Sequence, residues 1–558
     1  MKFKFKKLAC AALAALLPVS MVACGGTPIG GSQLESVDAT KTQLKVFSYN
    51  GGVGSEWLNK VIDRFEEDYK NVSFRGGQTG VQIIPNPTKS DAFGTISAST
   101  DNVIFSEVAN YSQLVTQKSI LDISDIMEKP LNEITKTSDT KTLKSKMYDE
   151  TVDFYTFSKG KYYALPHYSF FSTITYNKQL MIDKNLYFAK DYDVNATELD
   201  DKFIHSAGED KSVGPDGQPN TPDDGLPATY TELFELFEMM RSKNVTPIIW
   251  AGGETVSGGY INYLLNDVYL SLAGKDQARL NYTFDSKDKT ITIVEKFEGG
   301  KAVTKEEKIT AENYKSLNAE LAKYQAIKIV DKIVDNALWQ ASDCSSSTST
   351  MLSVQQKYVE SYNRGTPVAM IVEGSYWYNE ADNADYIEDT RNRYTDFDAK
   401  NDYQILPLPR VYEGTYADVA GKNVGKAVYA DQADSVAVIN ANIADDADLV
   451  NLAKTFLAYC YTDESLKEFT ETTRVMRSLK YDIDESKLDS WGKAVWNYTK
   501  ASDILLPYSS NALYLNNRTQ QSMHIANDFW TVNGKNVYSF CKGSGTAEAY
   551  FAEYMNRK

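Results

Sequence analysis

The residues best suited to chemistry lie in the stretch Gly365–Glu380, which reads GTPVAMIVEGSYWYNE. Its apolar run, Val368–Val372, is rich in β-branched residues and predicts a buried strand. The carboxylate of Glu373 and the rings of Tyr376 and Trp377 follow at once. Because ligands of open α/β sheets bind outside the carboxyl ends of strands, we expect these groups to face a cleft. The same aromatic residues would equally suit the start of a packed helix.

Other predicted strands end in residues of the same kinds. The runs 44–49, 103–105 and 247–250 each read as a short strand that ends in, or is followed by, polar or aromatic side chains. Those side chains are Asn50, Glu107, Asn110, Trp250, Glu254 and Tyr260. Amide and carboxylate groups beside flat rings can hold a polar ligand that also has an apolar face.

Helices are predicted between these strands. Ser55 is a candidate N-cap for an amphipathic helix that follows the glycine turn 50–54. Thr229–Glu232 has the spacing of a capping box and predicts a helix that runs to about Arg241. Thr462 is the expected cap of a helix that follows another at 449–460. The Lys- and Glu-rich segment 275–314 predicts a β-hairpin insertion on the surface.

The beginning of the chain predicts export. Four lysines precede an apolar run, 8–19, that is shorter than the roughly 20 residues of a membrane span. Met21–Gly25 then matches a lipobox, in which small residues precede the cysteine that receives the lipid. We therefore expect a signal peptide at 1–23, a lipid-modified Cys24 and a flexible Gly/Ser/Thr-rich tether over 24–43.

The composition narrows the classes of ligand. Loss of residues 1–23, which carry four lysines and no acid, would lower the net charge from −16 to −20. Such a chain is not expected to bind nucleic acid or anionic lipid, which require clustered basic residues. Cys344, Cys460 and Cys541 show no metal-binding spacing; they are expected to be buried thiols, with a Cys344–Cys541 disulfide as the alternative.

One acidic loop is a candidate cation site. The segment 214–225 reads GPDGQPNTPDDG, and its Asp216, Asp223 and Asp224 can offer oxygen ligands to a structural calcium ion. Its spacing departs from the EF-hand pattern, and a solvated turn is the favoured interpretation. No other cofactor is expected.

Taken in order, these motifs resemble bacterial extracellular solute-binding proteins, the sugar-binding subunits of ABC importers. The resemblance includes AM…G.W at 369–376, with Tyr376 at the tryptophan position, YA.P…YN at 163–177, PLP at 407–409 and FL.Y..TDE.L..F at 456–469. It implies an α/β chain with the two-lobe periplasmic-binding-protein-like fold of type II, a hinge between the lobes and a ligand cleft at their interface. The implied lobe 1 comprises 44–170 and 405–470, and lobe 2 comprises 171–404 and 471–558.

The resemblance also implies a function. The protein would capture a carbohydrate, expected to be an oligosaccharide, on the extracellular side of the membrane and deliver it to a permease. It would act as a monomer that is held to the membrane by its lipid alone. The segment 161–176 would then cross between the lobes and bring His167 and Tyr168 to the hinge or cleft, although core packing would suit them equally.

A surface glycoside hydrolase is the alternative function. Such an enzyme needs two carboxylates about 5–10 Å apart across the scissile bond. Glu107, Glu254 and Glu373 all follow predicted strands, but no GxSxG or HExxH motif accompanies them. The sequence therefore favours a binding protein over an enzyme.

Overall fold

The computed structural model describes residues 37–88, 96, 98–107, 111–255, 259–431, 433, 435–509, 529–543 and 545–557. The predicted signal peptide, Cys24 and most of the tether lie outside the described residues, and so does Asn110. None of the helices in the described ranges combines the length and apolar character that crossing a membrane requires.

The strands, in chain order, are β1 (Thr42–Tyr49), β2 (Val81–Thr88), β3 (Val103–Ser106), β4 (Ala164–Pro166), β5 (Ser172–Asn177), β6 (Thr246–Ile249), β7 (Ile291–Glu298), β8 (Lys301–Glu307), β9 (Val368–Gly374), β10 (Tyr403–Ile405), β11 (Val428–Ala430), β12 (Val436–Ile439) and β13 (Asp503–Leu505). The helices, in chain order, are α1 (Glu56–Tyr69), α2 (Tyr111–Thr116), α3 (Ser124–Met127), α4 (Leu131–Ile134), α5 (Leu143–Lys146), α6 (Asp149–Tyr155), α7 (Lys178–Asp183), α8 (Tyr230–Ser242), α9 (Gly252–Thr255), α10 (Gly259–Thr283), α11 (Leu321–Asp335), α12 (Met351–Arg364), α13 (Trp377–Asn383), α14 (Tyr386–Arg393), α15 (Phe397–Lys400), α16 (Tyr416–Val419), α17 (Ala447–Tyr459), α18 (Asp463–Thr473), α19 (Ser490–Ala501), α20 (Val537–Lys542) and α21 (Ala547–Met555).

The first sheet has the strand order β2-β1-β3-β12-β4. β1 runs parallel to β2 and β3, whereas β12 is antiparallel to β3 and β4. The parallel strands end at one edge of the sheet, so the turn after β1 and Glu107 after β3 lie on the same side. The apolar face of α1, which includes Trp57, Val61 and Phe65, is buried as its helical spacing predicts.

The second sheet has the strand order β10-β5-β9-β6. β9 is parallel to β6 and antiparallel to β5, and every residue of β9 is buried. Its continuous apolar run suits this position, because a strand that is covered on both faces has no polar side to show. Glu373 at the end of β9 and Trp250 after β6 consequently lie at one edge of this sheet.

The chain passes between the sheets at the segments of the predicted crossing. β4 belongs to the first sheet and β5 to the second, so the chain changes sheet between Pro166 and Ser172. It returns between β10 and β12, later than the boundary predicted at residue 405, because the segment after β10 stays beside α8. There the Tyr230 N–H donates to the Val411 carbonyl at 3.1 Å. A further passage connects α18, which packs on α1, with α19, which packs on β10.

The helix caps follow the sequence only in part. Thr462 caps α18 by accepting the Ser465 N–H at 3.4 Å, as predicted. Thr229 likewise caps α8, but Glu232 does not complete the predicted capping box. Its carboxylate instead accepts the N–H groups of Ala228 at 2.7 Å and Tyr416 at 2.6 Å. Ser55 occupies the N-cap position of α1 without a side-chain hydrogen bond.

The predicted hairpin insertion is shorter than expected. β7 and β8 form an antiparallel hairpin, but the segment 275–283 is the last part of α10. α10 is interrupted at Gly274, whose φ of 68° is left-handed and therefore suits glycine. Ala278 and Asn281 are buried at helical spacing after that interruption. The polar composition of this segment thus reflects a half-exposed helix, and the prediction of a hairpin there was wrong.

Candidate functional site

The end of β9 turns sharply towards the first sheet. Gly374 has no side chain, and this allows the ring of Phe170 to lie close to the end of β9. A Cβ at position 374 would be 2.7 Å from Cε2 of Phe170. The chain then places Tyr376 at the N-cap of α13. Tyr376 is only partly buried, and its ring centroid lies 4.9 Å from that of Phe170 and 6.4 Å from that of Tyr168.

Tyr376, which follows β9 of the second sheet, also contacts the turn after β1 of the first sheet. Gly52, in the turn after β1, lies so close that a Cβ there would be 2.8 Å from Cδ2 of Tyr376. The ring therefore lies against the backbone of the first sheet's turn. An aromatic face held between loops of two sheets is the feature expected of a ligand platform.

The carboxyl groups of Glu373 and Glu380 form a pair close to this ring. The Gln355 Nε2 on α12 donates to Glu373 Oε1 at 3.1 Å and to Glu380 Oε2 at 2.9 Å. Glu373 Oε2 also accepts the Gly374 N–H at 3.0 Å, and the Tyr260 hydroxyl donates to the same carboxyl group. These bonds fix both acids at the carboxyl end of β9.

Burial changes the protonation of the pair. It raises the pKa of Glu373 to about 8, with a further increase from the charge of Glu380. It also raises the pKa of Glu380 to about 7, and the nearby charge of Glu107 adds to this shift. Each carboxyl group therefore holds its proton far more strongly than an exposed glutamate does, and can donate as well as accept hydrogen bonds near neutral pH.

Several predicted site residues lie around this pair. Tyr260 and Tyr168 are buried, with 6% and 2% of their surface exposed, and Glu107 is partly buried. The charge of Glu107 contributes to raised pKa values of both Tyr376 and Glu380, after burial in each case, so it approaches the site from the first sheet. Asn50 follows β1, and its N–H donates to the Thr88 carbonyl at 2.6 Å. The side chain of Glu254 lies outside the described residues.

Three predicted ligand residues are core residues instead. His167, Trp250 and Trp377 have 1%, 0% and 0% of their surface exposed, and their rings pack among other core side chains. Their aromatic rings are large apolar surfaces that fill the interior behind the strand ends.

The neighbours of these residues give the physical reason. His167 packs against Trp57, Phe105 and Phe469, and burial lowers its pKa well below the usual value. The backbone N–H of Trp250 donates to the Cys344 Sγ at 3.3 Å. The Trp377 ring lies edge-on to its nearest aromatic neighbours, which are Tyr358, Tyr378, Tyr403 and Trp491.

The helix that begins beside Tyr376 also contacts the first sheet's helices. Asn379 on α13 donates to the Thr473 carbonyl at the end of α18. The Arg474 guanidinium donates to Asn379 Oδ1 at 3.1 Å and pairs with Asp382 at 3.3 Å. It pairs with Asp489 as well. α13 therefore joins the candidate site to the end of α18.

The sequence analysis missed part of this arrangement. Glu380 closes the stretch that begins at Gly365, and its i+4 spacing from Tyr376 on a helix was a usable signal. Gln355, Gly52 and Arg474 carried no such signal, because each meets the site only through tertiary packing.

The acidic loop satisfies its own carboxylates. Asp216 Oδ1 accepts the Gln218 N–H at 2.7 Å, Asp223 Oδ1 accepts the Thr221 hydroxyl at 2.6 Å, and Asp224 Oδ2 accepts the Asn220 N–H at 2.7 Å. Across the described ranges, His, Cys, Asp and Glu form no group of three or more that could hold a metal ion. The three carboxylates therefore bond to groups within their own loop, and Asp223 is buried, with 7% of its surface exposed.

The three remaining cysteines are thiols. Cys344, Cys460 and Cys541 are all free and buried, as the favoured expectation had it, and the alternative Cys344–Cys541 disulfide is not formed. Burial also raises the pKa of each thiol, which leaves these groups unreactive at neutral pH.

Comparisons with known proteins add information about the fold. No protein-family model and no curated protein matches the sequence significantly. Among solved structures, a chitin oligosaccharide binding protein matches with a TM-score of 0.51 at 16% identity, over 92% of this chain and 97% of its own. The apo form of RafE from Streptococcus pneumoniae matches with a TM-score of 0.51 at 12% identity, over 94% and 100%.

A third match is the GacH receptor of Streptomyces glaucescens, whose structures are unliganded and in complex with acarbose. It has a TM-score of 0.51 at 14% identity, over 92% of this chain and 97% of its own. Each match extends over nearly the whole length of both chains, so it concerns the architecture and not a single motif. The chain therefore has the α/β, periplasmic-binding-protein-like fold of these binding proteins.

Proposed function

We propose that this protein captures an oligosaccharide outside the cell and delivers it to the permease of an ABC importer. One observation carries the proposal: the Tyr376 ring lies against the turn at Gly52 and the end of β9, and the carboxyl groups of Glu373 and Glu380 are joined through Gln355 close to it. The matched structures include a chitin oligosaccharide binding protein and a receptor in complex with acarbose, which supports a sugar ligand.

The chemistry of the site suits a sugar. A pyranose ring presents apolar C–H groups to an aromatic face and hydroxyl groups to polar side chains. Tyr376 supplies the face, and Glu373, Glu380 and Tyr260 supply donors and acceptors in a partly water-excluded position. Approach of the two sheets around a ligand would bury it and create the closed shape that a permease recognises.

The proposal includes a lipid anchor and the absence of turnover. The lipobox around Cys24 supports attachment to the outer face of the cell membrane, with the protein acting as a monomer. No GxSxG or HExxH motif accompanies Glu373 and Glu380, and the matched structures include a binding protein and a receptor. We therefore favour capture over the alternative, a glycoside hydrolase.

A ligand screen tests the proposal. The melting temperature is measured with a panel of mono- and oligosaccharides, because a ligand that binds the folded state stabilises it by RT ln(1 + [L]/Kd). At least one sugar should raise the melting temperature of the wild type and of Tyr394→Ala, a half-buried tyrosine outside the site, but not of Tyr376→Ala.

Chromatography of the same mixtures separates binding from hydrolysis. Unchanged sugars are expected after prolonged incubation. Stoichiometric binding without products supports capture, products of the bound sugar establish the hydrolase, and a panel without any binder contradicts both.

A further inference from the structure

The Glu373–Glu380 pair has an unusual set of partners. Both carboxyl groups share one donor, Gln355 Nε2, at 3.1 and 2.9 Å, so the two accepting oxygens lie within 6.0 Å of each other. Among the groups that shift the pKa of either acid there is no lysine or arginine. Two like acids are thus held together inside the protein without the cation that usually accompanies such a pair.

The amide that bridges the two acids also carries an acceptor. Gln355 is fully buried, and its Oε1 has no hydrogen-bond partner among the residues that the structure describes. This oxygen belongs to the same amide as Nε2, which lies between the two carboxyl groups, so it is adjacent to the pair. A buried acceptor without a donor is costly, by about 1–3 kcal/mol. With both acids ionised, the pair and this oxygen therefore present acceptors without a matching donor.

An ammonium group has the complementary chemistry. It carries a positive charge and three donors but no acceptor, whereas a neutral sugar hydroxyl supplies a single donor. It could satisfy both carboxylates and the free amide oxygen together through charge-assisted hydrogen bonds. The rings of Tyr260 and Tyr376 lie beside the acids and attract cations through their faces.

The other groups that face the pair do not oppose a cation. Glu107 approaches from the first sheet and adds a further negative charge near Glu380. α10 supplies Tyr260 and Tyr263, and α12 supplies Gln355. Of these groups only Glu107 carries a charge, and that charge is negative; the two tyrosines and the glutamine are neutral.

We propose that the ligand of this site carries a protonated amino group, as an amino sugar does, and that Glu373 and Glu380 hold this group. The inference rests on the proposed function, because it specifies the class of sugar that the same site takes. Since both acids bind their protons tightly before the ligand arrives, binding of the ammonium group must ionise them and release protons to the solvent.

Calorimetry on matched sugars tests this. The purified protein is titrated at about pH 7 with glucosamine and glucose, galactosamine and galactose, and mannosamine and mannose. The β-1,4-linked tetramers of glucosamine, N-acetylglucosamine and glucose are titrated as well. In at least one set the amine should bind about tenfold or more tightly than its neutral counterpart.

Two further readouts locate the effect. Titrations in buffers of different ionisation enthalpy should show proton release with the amine and none with the neutral sugar. Glu380→Gln should reduce the preference for the amine to near unity, whereas Glu388→Gln, which removes an equal charge from the exposed side of α14, should leave it unchanged.

The outcomes separate this inference from the proposed function. If neutral sugars bind as tightly as their amines in every set, the amine inference is wrong while sugar capture stands. A preference that survives in both Glu380→Gln and Glu373→Gln also overturns the assignment to this pair. If neither kind of sugar binds, both proposals fail. Proton release by the wild type decides the question should either variant not fold.

Discussion

At the scale of single residues, Tyr376 and Trp377 are neighbours with opposite surroundings. Tyr376 is partly exposed and lies against Gly52, whereas Trp377 is fully buried beside Tyr403 and Trp491. Consecutive side chains at a strand exit point in different directions, so only one of them can face the ligand. Their roles can therefore be separated by mutation.

The first prediction concerns this pair. Tyr376→Ala should weaken sugar binding by about 1–3 kcal/mol, by analogy with base–aromatic stacking, with little change in melting temperature. Trp377→Ala should lower the free energy of unfolding by about 3–5 kcal/mol, because it leaves a large cavity in the core. Calorimetry and urea unfolding measure the two effects. Normal sugar binding by Tyr376→Ala would show that this stretch does not form the cleft.

The second prediction is a pH dependence of stability. The pKa values of Glu373 and Glu380 rise from 4.5 to about 8 and about 7 on folding, so the folded state favours the protonated acids. Their contribution is complete below about pH 4.5 and is lost as the pH rises to about 8. The free energy of unfolding should therefore fall by several kcal/mol between about pH 5 and pH 9, because each unit of pKa shift corresponds to about 1.4 kcal/mol.

The matched variant isolates this contribution. Glu373→Gln/Glu380→Gln carries no ionisable group at either position and should flatten that part of the urea-unfolding profile. Glu388→Gln, which changes an exposed acid, should keep the wild-type slope. The same slope in all three proteins would mean that the two acids are not buried together.

At the scale of elements, the site depends on how closely the β1–α1 turn approaches α13. Gly52 has no side chain, and this allows the Tyr376 ring to lie on its backbone. α13 meanwhile holds α18 through Asn379 and Arg474. One short helix therefore sets both the position of the aromatic ring and the contact between the two sheets' helices.

The third prediction tests that approach. In Gly52→Ala the new Cβ would lie 2.8 Å from Tyr376 Cδ2, so the ring must move and sugar binding should weaken at least about tenfold. The backbone of Gly52 is not left-handed, so alanine adds no backbone strain of its own there.

Gly76→Ala is the matched control, because a Cβ at Gly76 meets no atom within 4 Å. It should bind sugar like the wild type. Calorimetry with the best sugar of the screen compares the three proteins. Equal affinities for Gly52→Ala and Gly76→Ala would contradict the role of the β1–α1 turn in the site.

At the scale of the whole molecule, two sheets are joined by the segments Pro166–Ser172 and Ile405–Val436 and by the connection from α18 to α19. Several crossing segments at one place allow the two sheets to rotate relative to each other about a hinge.

The fourth prediction is that a bound sugar compacts the protein. Small-angle scattering should show a smaller radius of gyration with sugar than without it. An unchanged radius at saturation would contradict closure.

The fifth prediction concerns the anchor. Cys24 is expected to become the lipid-modified N-terminus, because small residues precede it and a Gly/Ser/Thr-rich segment follows. Cys24→Ala should release the protein from the membrane fraction or block its processing, whereas Cys10→Ala, within the predicted signal peptide, should be retained. Fractionation and immunoblotting distinguish these results. Full retention of Cys24→Ala would mean that the protein is held in another way.

Local sequence patterns predicted the elements that depend on local forces. The apolar run 368–372 became β9, and the spacing of Trp57, Val61 and Phe65 became the buried face of α1. Thr229 and Thr462 cap the helices that follow them, since a cap needs only residues within one turn. The prediction of a surface hairpin at 275–283 was wrong, because a half-exposed helix such as the end of α10 can have the same polar composition.

Local sequence therefore specified the elements just named and placed acids and aromatic rings after strands. Tertiary packing then set which of those side chains meet. It buried His167, Trp250 and Trp377, joined Glu373 to Glu380 through Gln355 and laid Tyr376 on Gly52. The physical reason is that backbone preference and periodicity act over a few residues, whereas these contacts join distant segments and depend on how the two sheets pack.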